Sequence, residues 1–124
     1  MKAIRAIVVC ALIACAIAAP AFAQDAVGKW VGTVKAPGQD LPIVVVIAKD
    51  GAGKMSATLE STSQAPGVLL AADTVANEGD KLSLTFDRIL GDYKATWNAE
   101  AKVWVGTWTQ ADTPMKLTMT RGAQ

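Results

Sequence analysis

Histidine is absent from the 124 residues, and both cysteines, Cys10 and Cys15, lie near the N-terminus. With no imidazole, and no thiol beyond Cys15, Ser–His and Cys–His nucleophile pairs and ordinary zinc sites are excluded from the rest of the chain. The patterns G-x-x-x-x-G-K-[ST], G-x-G-x-x-G and G-x-S-x-G are missing as well. Asp50-Gly51-Ala52-Gly53-Lys54 lacks the alternating acidic ligands of a calcium loop and reads as a hairpin turn. Charge of one sign is lacking too: 12 basic residues face 11 acidic ones, with the signs scattered. That balance leaves no electrostatic footprint for nucleic acid or an anionic membrane. No window sustains a 3.6-residue apolar period, so no helix is expected beyond the N-terminal segment.

Carboxylates, lysines, Tyr93 and hydroxyls remain as catalytic material. Glu60 shares a polar strand face with Ser56 and Thr58, and Asp87 shares one with Thr85 and Ser83. Two carboxylates on facing strands make an acid/base pair if they meet; solvated charges on an outer face are the plainer reading. No catalytic residue, metal or cofactor is assigned, and the expectation is a protein that is not an enzyme.

The N-terminus is distinctive. Met1-Lys2-Ala3-Ile4-Arg5 carries two positive charges, residues 6–19 form an uncharged apolar run, and Pro20 precedes Ala21-Phe22-Ala23. A basic start, a short apolar core and an A-x-A site predict a secretory signal over residues 1–23, cleaved before Gln24. The run is too short for a good membrane-spanning helix. Leu12-Ile13-Ala14-Cys15 resembles a lipobox, which offers lipid anchoring through Cys15 as the alternative. Ordinary cleavage is favoured, because residues 16–23 are an apolar stretch rather than a polar tether. The expected location is periplasmic or secreted. Loss of Lys2 and Arg5 reduces the 12 basic residues to 10 against 11 acidic, a net charge of −1, and no cysteine is left to staple the fold. Residues 24–124 are the size of one domain.

Turn signals punctuate that domain at short intervals. Strands are predicted over 29–35, 41–49, 54–61, 68–75, 81–88, a segment opening at Gly91 and turned at 98–100, then 102–110 and 114–121. The fifth alternates cleanly, with Leu82, Leu84 and Phe86 on one face and Lys81, Ser83, Thr85 and Asp87 on the other. The sixth places Tyr93, Ala95 and Trp97 together. The expected fold is all-β: a small eight-stranded antiparallel up-and-down meander in a closed or nearly closed barrel, with a two-sheet sandwich as the alternative. Trp30-Val31-Gly32-Thr33 and Trp104-Val105-Gly106-Thr107 repeat the same four residues in the first and seventh strands. Glycine inside a strand marks a bend or a close approach, so Gly32 and Gly106 read as structural. Trp30, Trp108 and Leu117 join Leu82, Leu84 and Phe86 as the expected core. Rings in so narrow a barrel fill its interior, or they line a pocket for an apolar or sugar-like ligand.

In such a meander the connections after odd strands, 37–40, 61–67, 88–92 and 110–114, gather at one end. That mouth is expected to hold a small polar ligand or a peptide through Gln39, Ser61, Gln64, Arg88, Tyr93 and Gln110. Well-capped loops with satisfied amides are the alternative. Val44 and Val46, with Val103 and Val105, make the second and seventh strands apolar on both faces, which hints at an outer surface covered by another protein or a second copy.

Gly28-Lys29-Trp30-Val31-Gly32-Thr33-Val34, Asp50 to Leu59, Gly106-Thr107-Trp108-Thr109-Gln110 and Pro114 to Met119 resemble a β domain of exported bacterial proteins. That domain precedes α/β-hydrolase or β-lactamase-like serine hydrolase domains and also occurs alone. An acidic-Ser-Pro-Asp-Gln stretch usual there reads Glu60-Ser61-Thr62-Ser63-Gln64 here, keeping Ser61 and Gln64 but losing the proline and the second acid. The resemblance implies a small exported β fold and carries over no catalytic residue. By strand count alone the chain is also similar to lipocalin- or streptavidin-type barrels. Two functional readings result: a non-catalytic binding module, or an accessory protein docking on another envelope protein such as a hydrolase.

Overall fold

The computed structural model describes residues 25–123; the expected signal segment and its Cys15 alternative lie outside the described residues. Nine strands follow in order: β1 (Gly28–Ala36), β2 (Gln39–Lys49), β3 (Met55–Ser61), β4 (Leu70–Ala71), β5 (Thr74–Glu78), β6 (Lys81–Phe86), β7 (Gly91–Asn98), β8 (Val103–Gln110) and β9 (Thr113–Arg121). One 3₁₀ turn, Asp87–Ile89, separates β6 from β7. The turn chemistry sets the hairpins. Pro37-Gly38 joins Ala36 to its partner Gln39, with Gly38 at φ 80°, a value that suits glycine in a two-residue turn opened by proline. Ala111 and Asp112 join Gln110 to Thr113 with both φ values positive, 49° and 68°, the geometry whose twist matches a β ribbon.

The strands form one continuous antiparallel sheet in the order β4-β3-β2-β1-β9-β8-β7-β6-β5, strongly curled into a half-barrel. Two expectations need correction: the sheet has nine strands rather than eight, and it is neither a closed barrel nor a pair of sheets. The expected fourth strand, 68–75, is where they fail. Val68, Leu69, Leu70, Ala71 and Ala72 are all apolar or small, so no alternation fixes a single register. The segment serves two neighbours in turn: Leu70–Ala71 pairs with β3, and Thr74–Glu78 pairs with β6. Between them the Ala72 N–H donates to Ala57 O at 2.8 Å on β3, and the next N–H, of Asp73, donates to Thr85 O at 2.7 Å on β6. The Asp73 carboxylate then accepts from the Asp87 N–H at 2.6 Å, tying the crossing to the 3₁₀ turn.

Alternation along the strands builds the interior. Leu82, Leu84 and Phe86 of β6 point inward, as do Trp30 and Val34 of β1, Ile43, Val45 and Ile47 of β2, and Leu117 and Met119 of β9. Gly32 and Gly106 serve close approach. A Cβ on Gly32 would overlap the Thr118 carbonyl oxygen and sit 2.9 Å from Leu117 Cδ1; one on Gly106 would overlap the Lys94 carbonyl oxygen and lie 2.7 Å from Ala95 Cα. Backbone atoms cannot swing aside as a flexible side chain can, so no side chain fits at Gly106 without moving β7.

One end of the half-barrel is sealed. Trp30, Trp97 and Trp104 pack edge to face with centroids 5.9, 6.2 and 5.2 Å apart, separations at which aromatic pairs add to simple burial. The segment before β1 crosses beneath them: the Trp30 indole N–H donates to Ala26 O at 2.8 Å, and the Ala26 N–H donates to Asn77 Oδ1 at 3.1 Å on β5. Arg121 stacks its guanidinium 4.1 Å over the Trp30 ring and donates to Val27 O at 3.0 Å.

Candidate functional site

A cavity of about 240 Å³ opens at the opposite end, lined by strand residues together with the β3–β4 connection and Ile89 of the 3₁₀ turn. Its walls and floor are Val34, Leu41, Ile43, Leu59, Leu70, Ile89, Trp108, Met115 and Leu117; its polar members are Ser61, Gln64 and Gln110, with Ala65 and Val68 completing the lining. No charged side chain is among them.

Sequence and register explain the position of each polar group. Ser61 ends β3 opposite Ile43, and a compact turn follows it: the Ala65 N–H donates to Ser61 O at 2.9 Å, the Val68 N–H to Ala65 O at 3.1 Å, and the Gly67 N–H to the Glu60 carboxylate at 2.9 Å. The Ser61 hydroxyl donates to Gln64 Oε1 at 2.8 Å. Gln110 ends β8, where its Oε1 accepts from the Trp108 indole N–H at 3.2 Å. The opposite lip is pinned by Leu90, whose N–H donates to Asp87 O and whose carbonyl accepts from the Ala111 N–H, each at 3.0 Å. Leu90 holds φ 54°, a left-handed conformation that costs a non-glycine residue about 1 kcal/mol or more. Its side chain stays exposed, as do those of Val68 and Leu69.

Of the six expected ligand contacts, the fold brings Ser61, Gln64 and Gln110 together around this cavity. The other three lie elsewhere. Gln39 is exposed beside the β1–β2 turn, and Arg88 is exposed on the 3₁₀ turn. Tyr93 is a correction of kind: β7 parity turns it inward, and it is buried with its hydroxyl donating to Leu117 O at 2.8 Å. Burial pushes its pKa well above the ordinary value near 10. Sequence reasoning missed the aliphatic lining and the exposed apolar pair Val68 and Leu69 beside it. The uninterrupted apolar run after Pro66-Gly67 was the available signal, and it read as a strand.

Comparison with protein-family models, curated proteins and solved structures found no match, and nothing in it links the chain to hydrolase-associated domains or to lipocalins.

Proposed function

We propose that this protein is a non-catalytic binding module of the bacterial envelope, exported by its N-terminal segment and holding a small ligand at the open mouth of the half-barrel. The observation that carries this reading is the cavity: about 240 Å³ of space lined by Ser61, Gln64 and Gln110 over an aliphatic floor. An apolar hollow with a few convergent polar groups is the usual form of a small-molecule site. The walls favour a ligand with an apolar body over the small polar molecule or peptide that the loop composition suggested.

The test is native mass spectrometry of the protein purified gently from its own host's envelope, with its N-terminus determined in the same preparation. A reproducible small added mass supports the binding reading, and a start at Gln24 supports ordinary export. A start at lipid-modified Cys15 replaces it with anchoring. A second reading, docking on another envelope protein such as a hydrolase or on a second copy, is favoured by Val46 and Val105, which lie exposed on the outer face. A ligand-free complex with another polypeptide, or a ligand-free dimer, would establish it instead.

A further inference from the structure

We infer that the cavity takes an uncharged acyl group, an aliphatic chain of about eight heavy atoms with its carbonyl oxygen at the mouth. This rests on the binding reading above and specifies its ligand. Indole N–H is a donor only, so Trp108 fixes the orientation of the Gln110 amide: Oε1 turns toward the indole, and the Nε2 donors are left for something else. Gln64 is engaged in the same sense, its Oε1 taking the Ser61 hydroxyl proton. Each amide oxygen thus has one of its two lone pairs engaged by the protein, while the Nε2 donors stay available. Two uncharged donor groups suit a carbonyl oxygen, and a lining without a carboxylate gives an ammonium no counter-charge.

Charge narrows the class further. No lysine or arginine lines the cavity, so a carboxylate entering it would lose water without gaining a cation. An ester or ketone carries the same acceptor at far lower desolvation cost. Size and wall chemistry supply the rest. At about 30 Å³ per heavy atom, the volume of a water molecule in the liquid, a space of about 240 Å³ holds about eight such atoms. Ile43, Leu59, Leu70 and Leu117 face it with aliphatic groups, whereas Trp30, Trp97 and Trp104 pack on one another at the sealed end. A longer chain has somewhere to go, because Val68 of the lining is itself 53% exposed and Leu69 follows it in the chain at 61%.

The experiment is an NMR titration of ¹⁵N-labelled protein, expressed as the full chain and used in the form in which it is recovered. The probes are methyl octanoate, sodium octanoate, glucose and triglycine. The ester should shift the Trp108 indole signal and the Gln64 and Gln110 amide signals, leaving the indoles of Trp30, Trp97 and Trp104 in place. Octanoate should bind at least tenfold more weakly. Ile89→Trp, which fills the cavity from a half-exposed position, should weaken ester binding at least tenfold with the thermal midpoint unchanged. Gln64→Leu should weaken it about fivefold, the worth of one net hydrogen bond. Octanoate binding as tightly as the ester overturns the uncharged assignment. Glucose or triglycine moving the mouth signals while the ester does not overturns the acyl class and leaves the binding reading standing. Silence from every probe removes both.

Discussion

At the end where β1 begins, three indoles interlock above a crossing peptide and beneath an arginine; at the other end the same sheet closes around space. Backbone alternation is equally regular at both, so the difference lies in side-chain volume and in how the ends are tied. Three indoles, Trp30, Trp97 and Trp104, crowd the sealed end, where the mouth has one, Trp108, among aliphatic groups such as Val34, Ile43 and Leu59. The β1–β9 ladder follows the same division. It registers only Trp30↔Arg121, Val31↔Thr120 and Gly32↔Met119, all on the sealed half. The sealed end is thus tied by the ladder and the indole cluster together, whereas the open end is held by Phe86, Trp108 and aliphatic packing.

The comparison can be broken most directly at Trp30. Trp30→Ala should destabilise by about 3–5 kcal/mol, the usual cost of emptying a fully buried ring site, read as a lowered urea midpoint; a wild-type midpoint would refute the central role of the indole cluster. Gly106→Ala comes next, at about 1–3 kcal/mol, because its new methyl meets β7 backbone rather than a movable side chain. Tyr93→Phe should cost about 1 kcal/mol, leaving the Leu117 carbonyl without its buried donor.

Tyr93 also gives a pH dependence. Its pKa is raised in the folded protein, so above about pH 10 an unfolded chain loses this proton while the folded one keeps it. The stability contributed is fully present below that pH and is lost as pH climbs toward the folded value. Tyrosinate absorbance at 295 nm should therefore rise together with alkaline unfolding; ionisation while the protein stays folded would contradict the burial. The smallest effect belongs to the mouth and has the opposite sign. Leu90→Gly should leave stability unchanged or raise it by up to about 1 kcal/mol, since glycine adopts φ 54° without the leucine's strain. A clear loss would mean that the exposed Leu90 side chain contributes packing of its own.

Seven of the expected strands correspond to ladders, because period-two patterns such as 81–86 and the Pro37-Gly38 and Asp50–Gly53 turns are local signals. The mouth was legible in part for the same reason: short connections sort by parity, which gathers Ser61, Gln64 and Gln110 at one end. What was not legible depends on partners far away in sequence. Nothing in 68–75 says that Ala72 bonds to β3 and Asp73 to β6, and nothing near Tyr93 says that its hydroxyl finds Leu117 rather than a ligand. The cavity itself is a remainder, visible only after every inward side chain has been placed.

The seam at Ala72–Asp73 divides the chain into two ribbons, β1–β4 and β5–β9, within which every ladder joins strands adjacent in sequence. Only β1 with β9 brings together segments about ninety residues apart, as in the Arg121 bond to Val27. Local ladders close small loops and form early, whereas that one pairing must pay the loop-closure entropy of nearly the whole domain. Zipping of two independent meanders is expected to be fast, and their docking along three residue pairs to set the folding rate. Joining the ends beside Lys29 and Gly122, already hydrogen-bonded at 2.8 Å, and reopening the chain at the seam would make every pairing local and the protein a faster folder.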